Sequence, residues 1–188
     1  AATTVAAVLK AGDLVVLEST SPVGTTEKVA ELLGQLRPDL KMPGQTLGTP
    51  DIAIAYCPER VLPGRILVEL IDNDRVIGGI TPRCARKALQ FYRRFVRGAC
   101  VTTTARAAEM TKLTENAFRD VNIAFANELS LIAEKMHVDV WEVIRLANRH
   151  PRVNILAPGP GVGGHCIAVD PWFLVHSAPE QTPLIRTA

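Results

Sequence analysis

Apolar positions along this chain follow two rhythms. Short β-branched runs at 14–18, 75–79 and 100–102 have the look of buried strands, and residues 51–56 alternate into another. Between them, residues 4–10, 26–36 and 81–96 carry apolar side chains at helical spacing. Gly12 is placed to cap the first of these helices, and Glu27 falls in the first turn of the second. Thr81 and Pro82 supply an N-cap and a first-turn proline for the third. Helix, strand, loop, helix is the order of a doubly wound α/β sheet, in which ligands bind at the carboxyl ends of strands. Ser19 and Thr20 sit at one such end, and Glu59 and Arg60 at another. Pro58 and Pro63 exclude regular structure around that charged pair. For all four residues, ordinary turn chemistry is the alternative.

The second half of the chain changes character. From about 105 to 136 there is neither Pro nor Gly, and the pattern predicts one helix of about 45–50 Å at ~1.5 Å per residue. A helix of that length spans two domains or packs on a partner subunit. Glu109, Lys112, Asn116 and Arg119 follow three- and four-residue steps, so Lys112 and Asn116 share a face. A solvated face is the simpler reading of that pair, as it is for Arg83, Arg86, Lys87, Arg93 and Arg94. Residues 139–148 predict a shorter amphipathic helix, 38–50 a Pro- and Gly-rich surface loop, and Trp172 to about His176 the start of another short element.

Composition narrows the function classes. With 47% hydrophobic and 21% charged residues, the chain can bury a sizeable core. A net charge of +2 gives no electrostatic case for nucleic acid or a membrane surface. No apolar run approaches the roughly 18 residues a spanning helix needs. Cys57, Cys84, Cys100 and Cys166 form no CxxC pair and no zinc-type spacing, so no metal is expected, and a reduced cytoplasmic protein is. Both ends of the chain look cut.

Candidate chemistry concentrates in PGPGVGGHCIAVDPW, residues 158–172. Its glycines permit positive φ and close approach of backbone to a ligand. Cys166 follows them, with Asp170 beyond. A thiol on a glycine-rich turn with a carboxylate in reach suits a covalent acyl or hemithioacetal site. A tight turn around a buried cysteine is the alternative. His165 is no partner for Cys166, since adjacent side chains of an extended segment point apart.

Four stretches in order carry a resemblance over nearly the whole chain: GluSerThrSerProValGly, CysProGluArgValLeuProGly, GluMetThrLysLeuThrGluAsn and GlyValGlyGlyHisCysIleAlaValAsp. Together they resemble the UDP-glucose/GDP-mannose dehydrogenase family, in the form of its UDP-N-acetylhexosamine branch. The resemblance implies an α/β fold: the C-terminal part of a Rossmann-type parallel sheet (1–104), then the long helix and an all-α central domain (105–188). It implies an NAD-dependent four-electron oxidation of a sugar C6 alcohol to a carboxylate, on a UDP-sugar, in a homodimer built through the long helix. Cys166 would be the nucleophile, with Lys112 and Asn116 stabilising oxyanionic oxygen. Asp170 would orient Lys112 or a water, and Glu59 with Thr20 would position the hydrolytic water. Ser19 and Thr20 would touch the cofactor. Glu59, Arg60, Lys112, Asn116, Arg152, Gly161, Gly163 and Gly164 would touch substrate. The family's glycine-rich pyrophosphate turn and its C-terminal nucleotide-binding domain have no counterpart in this stretch, so the 188 residues alone are expected to be inactive. Two other classes stay open: a helical dimerisation module without chemistry, and a cysteine hydrolase, which needs a histidine against Cys166.

Overall fold

A computed structural model describes residues 1–45, 48–62 and 64–188; Thr46 and Leu47, within the expected 38–50 loop, and Pro63, one of the two expected strand-breaking prolines, lie outside the described residues. In chain order the elements are α1 (Ala2–Val8), β1 (Leu14–Leu17), α2 (Thr25–Leu36), β2 (Ala53–Tyr56), α3 (Ile66–Asp72), β3 (Arg75–Gly79), α4 (Pro82–Tyr92) and β4 (Cys100–Thr104). Helices α5 (Ala105–Lys135), α6 (Val140–Ala147), α7 (Asp170–Ser177) and α8 (Pro183–Thr187) follow. They divide into two compact units, Ala1–Lys112 and Leu113–Ala188, with the division falling inside α5.

In the first unit the strands lie in the order β1-β2-β3-β4. β1 pairs with β2 in parallel, Leu14 opposite Ala53, and β3 with β4 in parallel, Arg75 opposite Cys100. The fold is α/β with a Rossmann-type sheet, parallel except at its middle. There β2 and β3 run antiparallel, Ala55 opposite Gly79, so the connection between them need not cross back over the sheet. Neighbouring β2 residues point to opposite faces and feed two core clusters. Ile54 packs with Ala30, Leu33 and Met42, and Ala55 with Ile77, Ala88 and Tyr92. All four β2 residues are buried, so the alternation expected from the sequence is absent: both faces are covered. Gly78 and Gly79 allow the starts of α5 and α4 to close on β3. A Cβ at Gly78 would lie 2.6 Å from the Thr104 carbonyl, and one at Gly79 2.3 Å from the Ala85 nitrogen.

The Thr81 cap forms as expected, its hydroxyl accepting from the Cys84 amide at 3.3 Å. Two local expectations need correction. α1 ends at Val8 in extended backbone, and Gly12 (φ +94°) belongs instead to the turn before β1. α4 stops at Tyr92 rather than near Val96. Short helices α3 and α8 give no clear sequence pattern; neither contains a buried residue.

In the second unit Leu113, Asn116, Ala117, Ala126 and Ala133 are buried on α5, and Ile144, Leu174 and Val175 on α6 and α7. α5 ends without glycine: His137 takes φ +55°, and the Val138 amide returns to the Ala133 carbonyl at 3.0 Å. Among the described residues no helix is long and apolar enough to cross a membrane.

Candidate active site

In the first unit the loops after β1 and β2 are stitched together beyond the regular ladder. The Cys57 amide donates to the Leu17 carbonyl at 2.8 Å, and the Glu59 amide to the Glu18 carbonyl at 3.1 Å. Ser19 is exposed, and Thr20, Glu59 and Arg60 are half-buried. The Glu59 carboxylate accepts from the amides of Arg60 (2.6 Å) and Val61 (2.8 Å). The antiparallel register of β2 and β3, extended past Tyr56, brings Glu59 opposite Arg75, and their side chains pair at 3.6 Å. Arg75 is 1% exposed, donates to the Leu70 carbonyl at 3.0 Å, and lies 5.9 Å above the Tyr92 ring. A buried guanidinium therefore ties both ends of the 59–70 connection to the sheet.

Beneath these loops Tyr92 donates to Glu18 at 2.6 Å. Burial pushes the Cys57 thiol up to about 11, which keeps it protonated and unreactive at neutral pH. Burial, with the Glu18 hydrogen bond, also raises the Tyr92 phenol. Cys57 and Cys84 are buried and Cys100 is half-buried, whereas Cys166 is exposed.

Glu109, on the first turns of α5, has a place that the sequence does not signal. It is fully buried, and its carboxylate accepts from the Gly24 amide (2.6 Å), the Thr26 amide (2.8 Å) and the Thr26 hydroxyl (2.6 Å). It thus caps the N-terminus of α2, where Gly24 takes φ +93°. Its partners lie more than 80 residues away, beyond the reach of any local capping motif. These amides are already satisfied, so this helix start is closed to a phosphate. A cofactor at the carboxyl end of β1 would instead find the hydroxyls of Ser19 and Thr20. Beside them lies a cleft of about 320 Å³ walled by Val5, Val15, Leu17, Val29 and Leu33. Those apolar side chains offer a surface to a flat ring but no hydrogen-bonding group to the ribose or pyrophosphate of NAD. Lys112, half-buried, stands three residues beyond Glu109.

In the second unit Asn116 donates to Asp170 at 2.5 Å, and both side chains are 4% exposed. Asp170 is the first residue of α7, and its amide closes a turn on the Cys166 carbonyl at 2.8 Å. The thiol is thus carried on a turn whose far end is fixed to α5 by a buried hydrogen bond. Preceding it, Gly161 (φ +118°) and Gly164 (φ +84°) use conformations that favour glycine. A Cβ at Gly159, Gly161, Gly163 or Gly164 would meet nothing within 4 Å. At Gly163, with no positive φ, neither backbone strain nor packing in this chain calls for glycine. The Gly159 amide donates to Asn127 on α5 at 2.8 Å and anchors the loop.

Arg152 is exposed in a loop closed by Asn148, whose side chain exchanges two hydrogen bonds with the Ile155 backbone, at 3.0 and 2.7 Å. Asn148 was not singled out from the sequence; an asparagine ending an amphipathic helix was the available sign. Among the described residues no cluster of three or more His, Cys, Asp or Glu could hold a metal ion.

Comparison with known proteins places these units. Residues 1–96 match the NAD binding domain of the UDP-glucose/GDP-mannose dehydrogenase family, and residues 106–188 match its central domain. Over all 188 residues the chain is 67% identical to the UDP-N-acetyl-D-mannosamine dehydrogenase of Escherichia coli (strain K12), covering 45% of that protein. It is 66% identical over the same span to the NDP-N-acetyl-D-galactosaminuronic acid dehydrogenase of Ralstonia nicotianae, covering 44% of it. Among solved structures, 99% of the chain matches 43% of a UDP-D-ManNAc dehydrogenase from Pyrococcus horikoshii, with TM-score 0.91 and 50% identity. The chain therefore spans less than half the length of these relatives.

Proposed function

The chain belongs to the UDP-glucose/GDP-mannose dehydrogenase family, and on that premise we propose that the whole protein is an NAD-dependent UDP-N-acetyl-D-mannosamine 6-dehydrogenase. Within it, residues 1–104 would be part of the NAD-binding domain and 105–188 the central helical domain that carries the nucleophile. The observation that supports this most is the exposed Cys166, on a turn fixed by the buried Asn116–Asp170 pair.

Bound NAD⁺ supplies the hydride acceptor, one equivalent for each of two oxidations. After the first, the Cys166 sulfur adds to the C6 aldehyde carbon, forming a C–S bond and placing negative charge on oxygen. The Lys112 ammonium and the Asn116 amide stabilise that oxygen. Loss of the second hydride from the same carbon leaves a thioester. A water positioned by Glu59 and Thr20 then cleaves the C–S bond, releasing the carboxylate and returning the thiol. Asp170 holds Asn116 in orientation, consistent with their hydrogen bond. Ser19 and Thr20 contact the cofactor. Arg60, Arg152 and the loop of Gly161, Gly163 and Gly164 contact substrate. α5 also forms the homodimer.

A second sugar, an N-acetyl-D-galactosamine derivative, is favoured almost equally by the 66% identity to the Ralstonia protein. Stoichiometry and a sugar panel test the reading. With UDP-N-acetyl-D-mannosamine the whole protein should form two NADH per acid, with kcat/KM about tenfold or more above the galacto, gluco and N-acetylgluco analogues. Preference for the galacto analogue would establish the second reading. Failure of every nucleotide sugar to reduce NAD⁺ would overturn both and leave α5 as a dimerisation module.

A further inference from the structure

We propose that Glu109 is a positioning residue for Lys112, locking the first turns of α5 onto the start of α2 and so fixing where the ammonium stands relative to the 19–24 loop. The inference rests on the role given to Lys112 above. Glu109 is completely buried, yet it is a carboxylate on a helix whose neighbouring turns could have packed an apolar side chain. Burying a carboxylate is costly unless donors surround it. Here three donors converge on it, from Gly24 and from both the amide and the hydroxyl of Thr26, all within 2.6–2.8 Å. Thr26 is itself fully buried, so neither partner can exchange this contact for water.

The geometry restricts rotation of α5 about its own axis. Lys112 lies three residues on and therefore on nearly the same side of the helix. A rotation that moved Lys112 would pull Glu109 off the α2 amides. Gly24 reinforces the arrangement: a Cβ there would lie 3.2 Å from the Arg106 guanidinium, which pairs with Glu27 on α2 at 2.9 Å. Glu109 and Arg106 thus hold the opening of α5 to α2 at two points, one buried and one exposed.

A double-mutant cycle in the whole protein, with Glu109→Gln and Lys112→Ala, distinguishes positioning from mere stabilisation. Glu109→Gln is expected to lower kcat about 10-fold or more while leaving KM for the UDP-sugar within about threefold. In the Lys112→Ala background the same change should have an effect of less than about twofold, because its route to the chemistry is gone. Thr26→Val, which removes one donor and keeps shape, should act in the same direction more weakly, and carries the test if Glu109→Gln fails to fold. An undiminished Glu109→Gln effect in the Lys112→Ala background, or normal kcat in a folded Glu109→Gln protein, would overturn the inference and leave the role of Lys112 standing. Full activity of Lys112→Ala would overturn that role, and the inference with it.

Discussion

Asn116 and Asp170, 54 residues apart in sequence, meet in a 2.5 Å hydrogen bond with both side chains buried. The pair joins the long helix to the first residue of α7, and through that residue's amide to the turn bearing Cys166. Replacing Asn116 with Ala leaves a buried carboxylate short of a donor. We expect a loss of about 1–3 kcal/mol in unfolding free energy. Adding Asp170→Ala to that variant should recover part of the loss, since the orphaned group is then removed. Denaturant titration of the two variants measures both numbers. Equal stability of Asn116→Ala and the parent chain would show that the bond contributes nothing.

Alkaline pH should weaken the first unit through Cys57. Its thiol lies at about 11 in the fold, raised by burial from an ordinary 9.0. The unfolded chain therefore loses this proton first, and the stabilisation is complete below pH 9 and lost as pH rises toward 11. The loss attributable to this group is on the order of 2 kcal/mol. The Tyr92 phenol, also raised, adds a slope of the same sign. Unfolding free energies measured from pH 8 to 11 should fall less steeply in Cys57→Ala than in the parent. Parallel slopes would rule out the thiol as a contributor.

α5 presents Phe118, Phe125 and Ile132 at seven-residue steps, exposed by 67%, 53% and 47%. Two helical turns separate each from the next, so they form one apolar stripe suited to a second copy of the same helix. In sedimentation, Phe125→Asp should shift a dimer toward monomer by weakening association about 10- to 100-fold. Circular dichroism should stay unchanged, because the side chain is exposed in the protomer. An intact dimer in this variant would place the interface elsewhere.

Residues whose partners are close in sequence were legible from it. The strand at 75–79, the Thr81 cap, the short helix expected over 139–148 and the proline-free helix from 105 each follow from patterns within a few residues. Long-range satisfaction of buried polar groups was not. Nothing near Glu109 indicates that its acceptors serve Gly24 and Thr26, and nothing near Arg75 indicates Glu59. The antiparallel turn of the sheet was hidden for a related reason, since parallel and antiparallel partners both accept short β-branched runs. α3 escaped notice because none of its residues is buried, leaving no one-sided pattern to read. In the candidate site, the glycine loop and Cys166 stood out by composition, whereas Asn148 and Glu109 emerged only from their contacts.

Acid formation by a Cys166→Ala variant of the whole protein is the most direct test of covalent oxidation through this thiol. The account predicts that conversion of UDP-sugar to acid falls by about 10³-fold or more, while the variant stays folded, its exposed side chain contributing little to packing. Acid produced at a rate within about twofold of the parent would contradict it, since no thioester could then lie on the path.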